Sequence, residues 1–319
     1  MKRPSPKKLT GDIEAFLRFK RSLGYRYARA ELWLRAFARF VEQRPADALP
    51  LEDLGRAWLE RNESRKAVSV AYELGVLRQF FGFLRRHDPT VVVPERSLAR
   101  RSSASEFLPH ILETKDIKML MRLAEGLRAP RFYGAMYRVL LLVLYCTGVR
   151  FGEAVRLKLR DLDIRRRALW IAESKGRSRW VPFHASLARE LARYLVARRA
   201  YAVVAGPGDS LFVGLNGEPL RRETASHIVT VLLRRAHLKP PRGRIGPRPY
   251  DIRHTFAVHR LARWYRAGVD VNARLPWLSA YMGHDDILGT ESYLTATPQL
   301  LQLAARRLRT RLAQRRRWT

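Results

Sequence analysis

Apolar residues recur at helical spacing through residues 11–87. Ile13, Phe16, Leu17 and Leu23 keep one face until Gly24 interrupts it. Leu32, Leu34, Phe37, Phe40 and Val41 mark a second helix, closed near Pro45, and Leu51, Leu54, Trp58 and Leu59 a short third. Val70, Leu74, Leu77, Phe81 and Leu84 mark a fourth. A small four-helix domain is the simplest account. Residues 88–108 lose the periodicity and carry Pro, Ser and Arg, which reads as a linker able to follow a phosphate backbone.

From Leu108 a second unit begins. Thr114 is placed to cap a helix with Asp116 in its first turn. Residues 139–146 form an apolar run that predicts a deeply buried helix, ending near Gly148. Two short stretches read as strands: Ala168-Leu-Trp-Ile-Ala and Arg179-Trp-Val-Pro-Phe, joined by a hairpin turn over Ser174–Ser178. Helices are expected near 185–201, 222–237, 251–267 and 275–283, with a Pro/Gly/Arg loop over 239–249. The last segment, 298–319, reads as an amphipathic helix with Leu301, Ala305, Leu308 and Leu312 on one face. Seven arginines and no acids fall in 306–319.

Charge changes the picture. Lys and Arg number 62 against 29 Asp and Glu, a formal net charge of +33. A compact chain so charged repels itself and is expected to work beside a polyanion, DNA or RNA before a membrane. No apolar run of about 18 residues stands out, so no spanning helix is expected. The basic N-terminus lacks the apolar core of a signal peptide. The single cysteine, Cys146, lies in the apolar run and reads as a buried small residue. A reducing cytoplasm is the expected compartment. Neither a phosphate-binding glycine loop nor a carboxylate cluster suited to Mg²⁺ is evident.

The candidate chemistry lies in four motifs that follow one another. They are Thr147-Gly-Val-Arg150-Phe-Gly-Glu153, Tyr250-Asp-Ile-Arg253-His254-Thr-Phe, Met282-Gly-His284 and Thr290-Glu-Ser-Tyr293-Leu. Two guanidinium forks suit one phosphate and stay charged at any working pH. A histidine can manage a proton, and a tyrosine hydroxyl can attack phosphorus once a base or nearby cations activate it. Each residue also has a plainer reading. Arg150 and Arg253 are two of many arginines, Tyr293 a packed tyrosine and His284 a structural histidine. His254 and His259 are five apart, wrong for a zinc pair on one helix face, and His254 is expected to pack.

With these motifs in order, the chain resembles the tyrosine recombinases of the phage-integrase superfamily. The wording around Tyr250–Leu261, Asn272–Ser279 and Tyr293–Pro298 resembles their mobile-element members, often encoded as neighbouring trios. The resemblance is strong at Arg150 and over 250–298, and weak in residues 1–100. It implies a mainly α fold with a small antiparallel β-hairpin or sheet. A helical core-binding domain over 1–90 would be followed by a basic linker over 91–108 and an α+β catalytic domain over 109–297. The basic helix 298–319 would dock on a neighbouring protomer, or else lie only on DNA.

The resemblance also implies roles. Arg150 and Arg253 would hold the phosphate, and His284 would bond a non-bridging oxygen or the nucleophile. Tyr293 would attack to give a 3′-phosphotyrosyl link. Lys175, in the hairpin turn, would protonate the departing 5′ oxygen, with Arg177 and Arg179 as lesser stand-ins and a merely solvated lysine as the plain alternative. Glu153 would brace Arg150 or be a plain surface carboxylate. Tyr250 departs from the pattern, because many members carry histidine there. A phenol donates hydrogen bonds but is a poor base near neutrality, so Tyr250 is either a phosphate hydrogen-bond donor or an unproductive second tyrosine. The expected function is site-specific recombination of the integrase or transposase type, through a four-way junction and without ATP, metal or other cofactor. Double-stranded DNA is the expected partner, with a homotetramer on it, sister recombinases as possible companions, and a bacterial cytoplasmic, nucleoid-associated location. Two alternatives stay open: a type IB topoisomerase-like enzyme that relaxes DNA without a site, and a catalytically silent DNA-binding relative.

Overall fold

The computed structural model describes the chain except residues 1–4, 46–48, 63, 66, 99–108, 128–130, 175–176, 202–207, 215, 285, 292, 295–296 and 316–319. The chain divides into two compact units, Met1–Phe107 and Leu108–Thr319. The first holds four helices: α1 (Pro6–Ser22), α2 (Ala28–Glu42), α3 (Leu51–Glu60) and α4 (Ala67–Leu84). Their apolar stripes close on one core built around Phe16, Phe37, Phe80 and Phe81. Val91 is buried in this core and Val93 and Leu98 pack against it, so the stretch expected to be linker begins inside the helical unit. Residues 99–108 lie outside the described residues.

One expectation needs correction. Helix α4 is, by length and composition, apolar enough to cross a membrane, with a mean hydropathy of 1.2 over 18 residues. Its Val, Leu, Phe and Ala content raises that value, offset chiefly by Glu73, Arg78 and Gln79. Its buried face, Leu74 to Leu84, belongs to the unit's core, and the carboxylate of Glu73 pairs there with Arg61 and Arg65.

The second unit runs α5 (Thr114–Glu125), α6 (Arg131–Thr147), α7 (Phe151–Val155), β1 (Leu162–Asp163), β2 (Ala168–Ser174), β3 (Arg177–Pro182), α8 (Ala185–Tyr201), α9 (Arg222–Arg235), α10 (Asp251–Arg266), α11 (Val271–Met282), α12 (Leu288–Glu291) and α13 (Pro298–Arg315). It is mainly helical with one antiparallel sheet in the order β1-β2-β3. The short β1 and α7 were not expected. Helix α5 starts one residue after Glu113, which stands at the cap position expected for Thr114. Helix α6 is the expected apolar helix, although Cys146 on it is half-buried rather than enclosed.

The sheet's alternation matters for the site. Leu169 pairs with Val181 and Ile171 with Arg179, while Trp170 pairs with Trp180 on the other face. Leu169, Ile171 and Val181 are buried, so Arg179 shares the inward face, and Trp180 is half exposed. Helix α11 starts before the expected 275, because the Asp270 carboxylate caps it by accepting from Asn272 N at 3.0 Å and Ala273 N at 3.3 Å. Helix α13 packs on its own unit through Leu300 and Leu303, and Arg307 Nη2 donates to Gly268 O at 2.9 Å. Leu301, Ala305 and Leu308 stay exposed, and the side chain of Leu312 lies outside the description.

Candidate functional site

Four pieces of the second unit meet around Arg253. They are the first turn of α10, the turn between α6 and α7, the end of α11, and the turn after α12. Arg253 is 1 % exposed, although it is an arginine. Its Nη1 donates to Gly148 O at 2.8 Å and its Nη2 to Met282 O at 2.9 Å. Its Nε is buried with no hydrogen-bond partner among the described residues. Burial draws its pKa below the ordinary value, the neighbouring Arg150 adds to this, and Tyr293 works against it.

Two glycines make these approaches possible. Gly148 has φ of +62°, and a Cβ there would lie 2.1 Å from the ring of Phe256. Gly283 ends α11 with φ of +70°, and a Cβ there would meet the Arg179 guanidinium at 2.6 Å.

Arg150 precedes α7, and its backbone N donates to Glu153 Oε2 at 2.8 Å, which satisfies a helix-start donor. Its Nη1 donates to Glu153 Oε1 at 2.8 Å, and its Nη2 donates to Gly283 O. Glu153 is buried and takes a second guanidinium: Arg179 Nη2 lies 2.9 Å from Oε2. Arg179 Nε reaches Tyr281 O at 2.9 Å. One carboxylate thus holds two arginines, one of them beside Arg253. A buried carboxylate is tolerated only with such pairing.

Tyr293 is 4 % exposed, and its hydroxyl is 3.0 Å from His254 Nδ1. Burial pushes the phenol up to about 12, although the charges of Arg253 and Arg150 pull it down. At neutral pH it keeps its proton. Burial lowers His254 to about 4, against the charge of Asp251. The imidazole is therefore neutral and can accept. Asp251 is fully buried; its Oδ2 accepts from Arg248 N at 2.7 Å, and its Oδ1 lies 3.9 Å from His254 Nε2.

Tyr250 is 42 % exposed, and its ring stands edge-on to His254 with centroids 4.8 Å apart. His284 Nδ1 is 2.5 Å from Thr290 Oγ1, and its ring centroid is 6.2 Å from that of Tyr293.

Residues 110–299 match the Phage integrase family. The putative integrase/recombinase y4rB of Sinorhizobium fredii is 33 % identical over 307 residues, covering 94 % of this chain and 96 % of that one. The chain belongs to the phage integrase family of tyrosine recombinases. It is thereby an enzyme that cleaves and rejoins DNA strands. The recombinase is also similar to XerD of Pseudomonas putida, 30 % identical over 271 residues, with 81 % of this chain and 83 % of that one covered. Among solved structures, the Tn1549 transposon integrase in complex with a circular intermediate DNA shares the fold. Its TM-score is 0.66 at 18 % identity, covering 93 % of this chain and 99 % of that one. A lambda integrase tetramer bound to a Holliday junction gives 0.62 at 16 % identity, covering 89 % and 76 %.

The recombinase thus gathers Arg150, Glu153, Tyr250, Arg253, His284 and Tyr293 in one place. Lys175 lies outside the described residues, as does the hairpin turn that carries it. Three participants escaped the sequence reading. Arg179 was expected only as a substitute for Lys175, yet it is bound to Glu153; its shared parity with Val181 on β3 was the available signal. His254 was expected to pack, but its ring touches the Tyr293 hydroxyl. Asp251 is three residues before His254 on α10, a spacing that brings side chains together on a helix.

Proposed function

We propose that this recombinase acts at specific sites on double-stranded DNA, in integration or transposition, by way of a covalent phosphotyrosyl link. Arg150 and Arg253 take the non-bridging oxygens of the scissile phosphate and hold the added charge at five-coordinate phosphorus. Tyr293 Oη forms the bond to phosphorus as the bond to the 5′ oxygen breaks. The 5′ oxygen leaves as a hydroxyl, protonated by Lys175. Attack by a 5′ hydroxyl of a partner strand then releases Tyr293. This set calls for neither ATP nor a metal, because guanidinium groups carry the charge and the phosphotyrosyl link conserves the phosphodiester's energy.

The observation that carries this reading is the burial of Tyr293 in the same site as Arg253 and Arg150, whose charges oppose the burial that raises the phenol's pKa. The relatives supply the substrate: the Tn1549 integrase is seen with circular intermediate DNA and the lambda integrase as a tetramer on a Holliday junction. By that likeness four protomers act on two sites through a four-way junction, in a bacterial cytoplasm. The helical unit and the basic segment 91–108 bind DNA, and α13 offers Leu301, Ala305 and Leu308 to a neighbouring protomer. A net charge of +33 supplies the electrostatic attraction.

The test is a nicked suicide duplex built from the DNA that borders the gene. Wild type should give a covalent protein–DNA band, and Tyr293→Phe none. An unchanged band from Tyr293→Phe sinks the assignment.

A further inference from the structure

The recombinase has a tyrosine, Tyr250, where a histidine was the expected pattern, and that phenol is too weak a base to help Tyr293 near neutrality. The proton of Tyr293 still has to go somewhere, because the buried hydroxyl keeps it at neutral pH. A partner lies close to the hydroxyl. It is the imidazole one helical turn further along α10, at 3.0 Å.

We infer that Tyr293, His254 and Asp251 form a proton relay, in which His254 Nδ1 accepts the phenolic proton as Tyr293 Oη bonds to phosphorus. This rests on the function proposed above and adds the base to it. His254 touches the reacting atom and is a catalytic residue; Asp251 acts through it and is a positioning residue.

Three features support the assignment. First, a protonated phenol facing a neutral ring nitrogen donates to it, so Nδ1 carries the lone pair and Nε2 the hydrogen. Second, what faces Nε2 is a carboxylate. Asp251 Oδ1 lies 3.9 Å away and is buried, with no close hydrogen bond among the described residues and Arg248 Nη2 at 3.5 Å as an ion-pair partner. A buried carboxylate oxygen held only by a long ion pair gains when an N–H turns to it. It also stabilises the imidazolium that forms during attack, the role a buried carboxylate plays behind a histidine base in hydrolases. Third, the rings of Tyr250 and Tyr293 enclose the imidazole, with centroids 4.8 and 5.3 Å from it. These edge-on contacts restrict the tilt of its plane. The gap between Asp251 and His254 is long for a hydrogen bond, as catalytic contacts often are before substrate binds.

In atoms, the Oη–H bond breaks, its proton goes to Nδ1, the Oη–P bond forms and the P–O5′ bond breaks. A separate acid protonates the 5′ oxygen. On resealing, His254 returns its proton to Tyr293. The charged or titratable groups facing His254 are Tyr250, Asp251 and Arg253 of α10, Arg248 before it, and Tyr293 after α12. Arg150 and His284 surround the same phenol.

The experiment is single-turnover cleavage of the nicked duplex described above, made with an oxygen or a sulfur bridge at the scissile 5′ position. Sulfur leaves without a proton, so only activation of Tyr293 is then read. His254→Gln keeps an acceptor for the phenol but cannot take its proton. It should cleave both substrates on the order of 10²–10³-fold more slowly than wild type. Its rate should climb about tenfold per pH unit from roughly pH 6 to 9, where wild type stays level, since attack then awaits phenolate. Added imidazole should restore His254→Ala by tenfold or more on both substrates. Asp251→Asn should lose roughly tenfold, with Asp251→Glu recovering part of it. Thermal unfolding and DNA binding of each variant identify failures of folding.

A His254→Gln enzyme that folds, cleaves within threefold of wild type and keeps the level profile overturns the relay. Tyr293→Phe would still be inert in that case, so the recombinase reading would stand. A wild-type enzyme with no covalent product would overturn both.

Discussion

The two units each contain a buried carboxylate between two arginines, and the resemblance ends there. In the first, Glu73 of α4 takes Arg61 Nη1 at 3.0 Å and also Arg65, while the Arg61 guanidinium lies 3.4 Å from the centre of the Trp58 ring. In the second, Glu153 takes Arg150 Nη1 at 2.8 Å and Arg179 Nη2 at 2.9 Å. Both carboxylates are about equally buried, at 4 % and 5 %. Burial and pairing therefore do not distinguish a site from a brace. The difference lies in the remaining donors. Arg61 turns to the carbonyl of Trp58 in the last turn of its own helix α3, and the cluster ties α3, α4 and the segment between them together. Arg150 turns to the carbonyl of Gly283, next to the carbonyl that holds Arg253 and within electrostatic reach of Tyr293. The first cluster secures helices. The second fixes two cations beside the Tyr293 phenol, which under the proposed function leaves little reorganisation for the reaction itself.

Paired substitutions break the comparison most sharply. Glu73→Gln and Glu153→Gln should each cost about 3–5 kcal/mol in urea unfolding, because each leaves guanidinium charge buried without its carboxylate. Only Glu153→Gln should also slow cleavage in the suicide assay, on the order of 10²-fold, through misplacement of Arg150. Equal activity in the two variants would mean that Glu153 is a brace like Glu73.

A smaller effect comes with pH. His254 is held near 4, below its ordinary 6.5. Above 6.5 neither the folded nor the unfolded state binds this proton, and stability is unaffected. As pH falls from 6.5 to about 4, the unfolded chain takes up a proton that the folded chain refuses, so stability drops. The loss is about 3 kcal/mol and levels off below the folded value. His259 is shifted the same way, so the difference between wild type and His254→Gln in urea melts across this range isolates the share of His254.

Gly283→Ala tests the hinge between the two arginines of the second cluster. The added Cβ meets Arg179 and takes on a left-handed conformation, which should cost about 1–3 kcal/mol and loosen the Arg179–Glu153 pair. Circular dichroism melts measure the first part and the cleavage assay the second. The smallest change is expected at the surface. Leu308 is 59 % exposed on α13, so Leu308→Ser should alter stability by no more than about 0.5 kcal/mol. If its face meets a neighbouring protomer, the same variant should weaken assembly on DNA in gel filtration, while a monomer's binding to one site is kept.

Much of this could be read without coordinates. The apolar stripes of α1–α4 repeat at 3.6-residue spacing, and each buries its stripe in the structure. Arg150, Arg253, His284 and Tyr293 carry motif neighbours that mark them out among 62 basic residues. Three readings went astray for physical reasons. The start of α11 was placed near 275, whereas the carboxylate of Asp270 caps a helix that already begins at Val271. Helix α4 escaped notice as a long apolar segment because Glu73 and Arg78 interrupt it, although length and mean hydropathy pass over both. His254 was read as packing because local spacing cannot report a contact with a side chain 39 residues away.

By itself the order of residues along the chain determined the elements, the basic character and the motifs that carry Arg150, Arg253, His284 and Tyr293. These depend on local period, charge and motif, which are properties of short stretches. Tertiary structure alone decided which arginine shares Glu153, which ring meets the Tyr293 hydroxyl and which carboxylate stands behind that ring. Those outcomes depend on where four separated segments come to rest against one another. The low dielectric of that meeting place then sets how each group is charged.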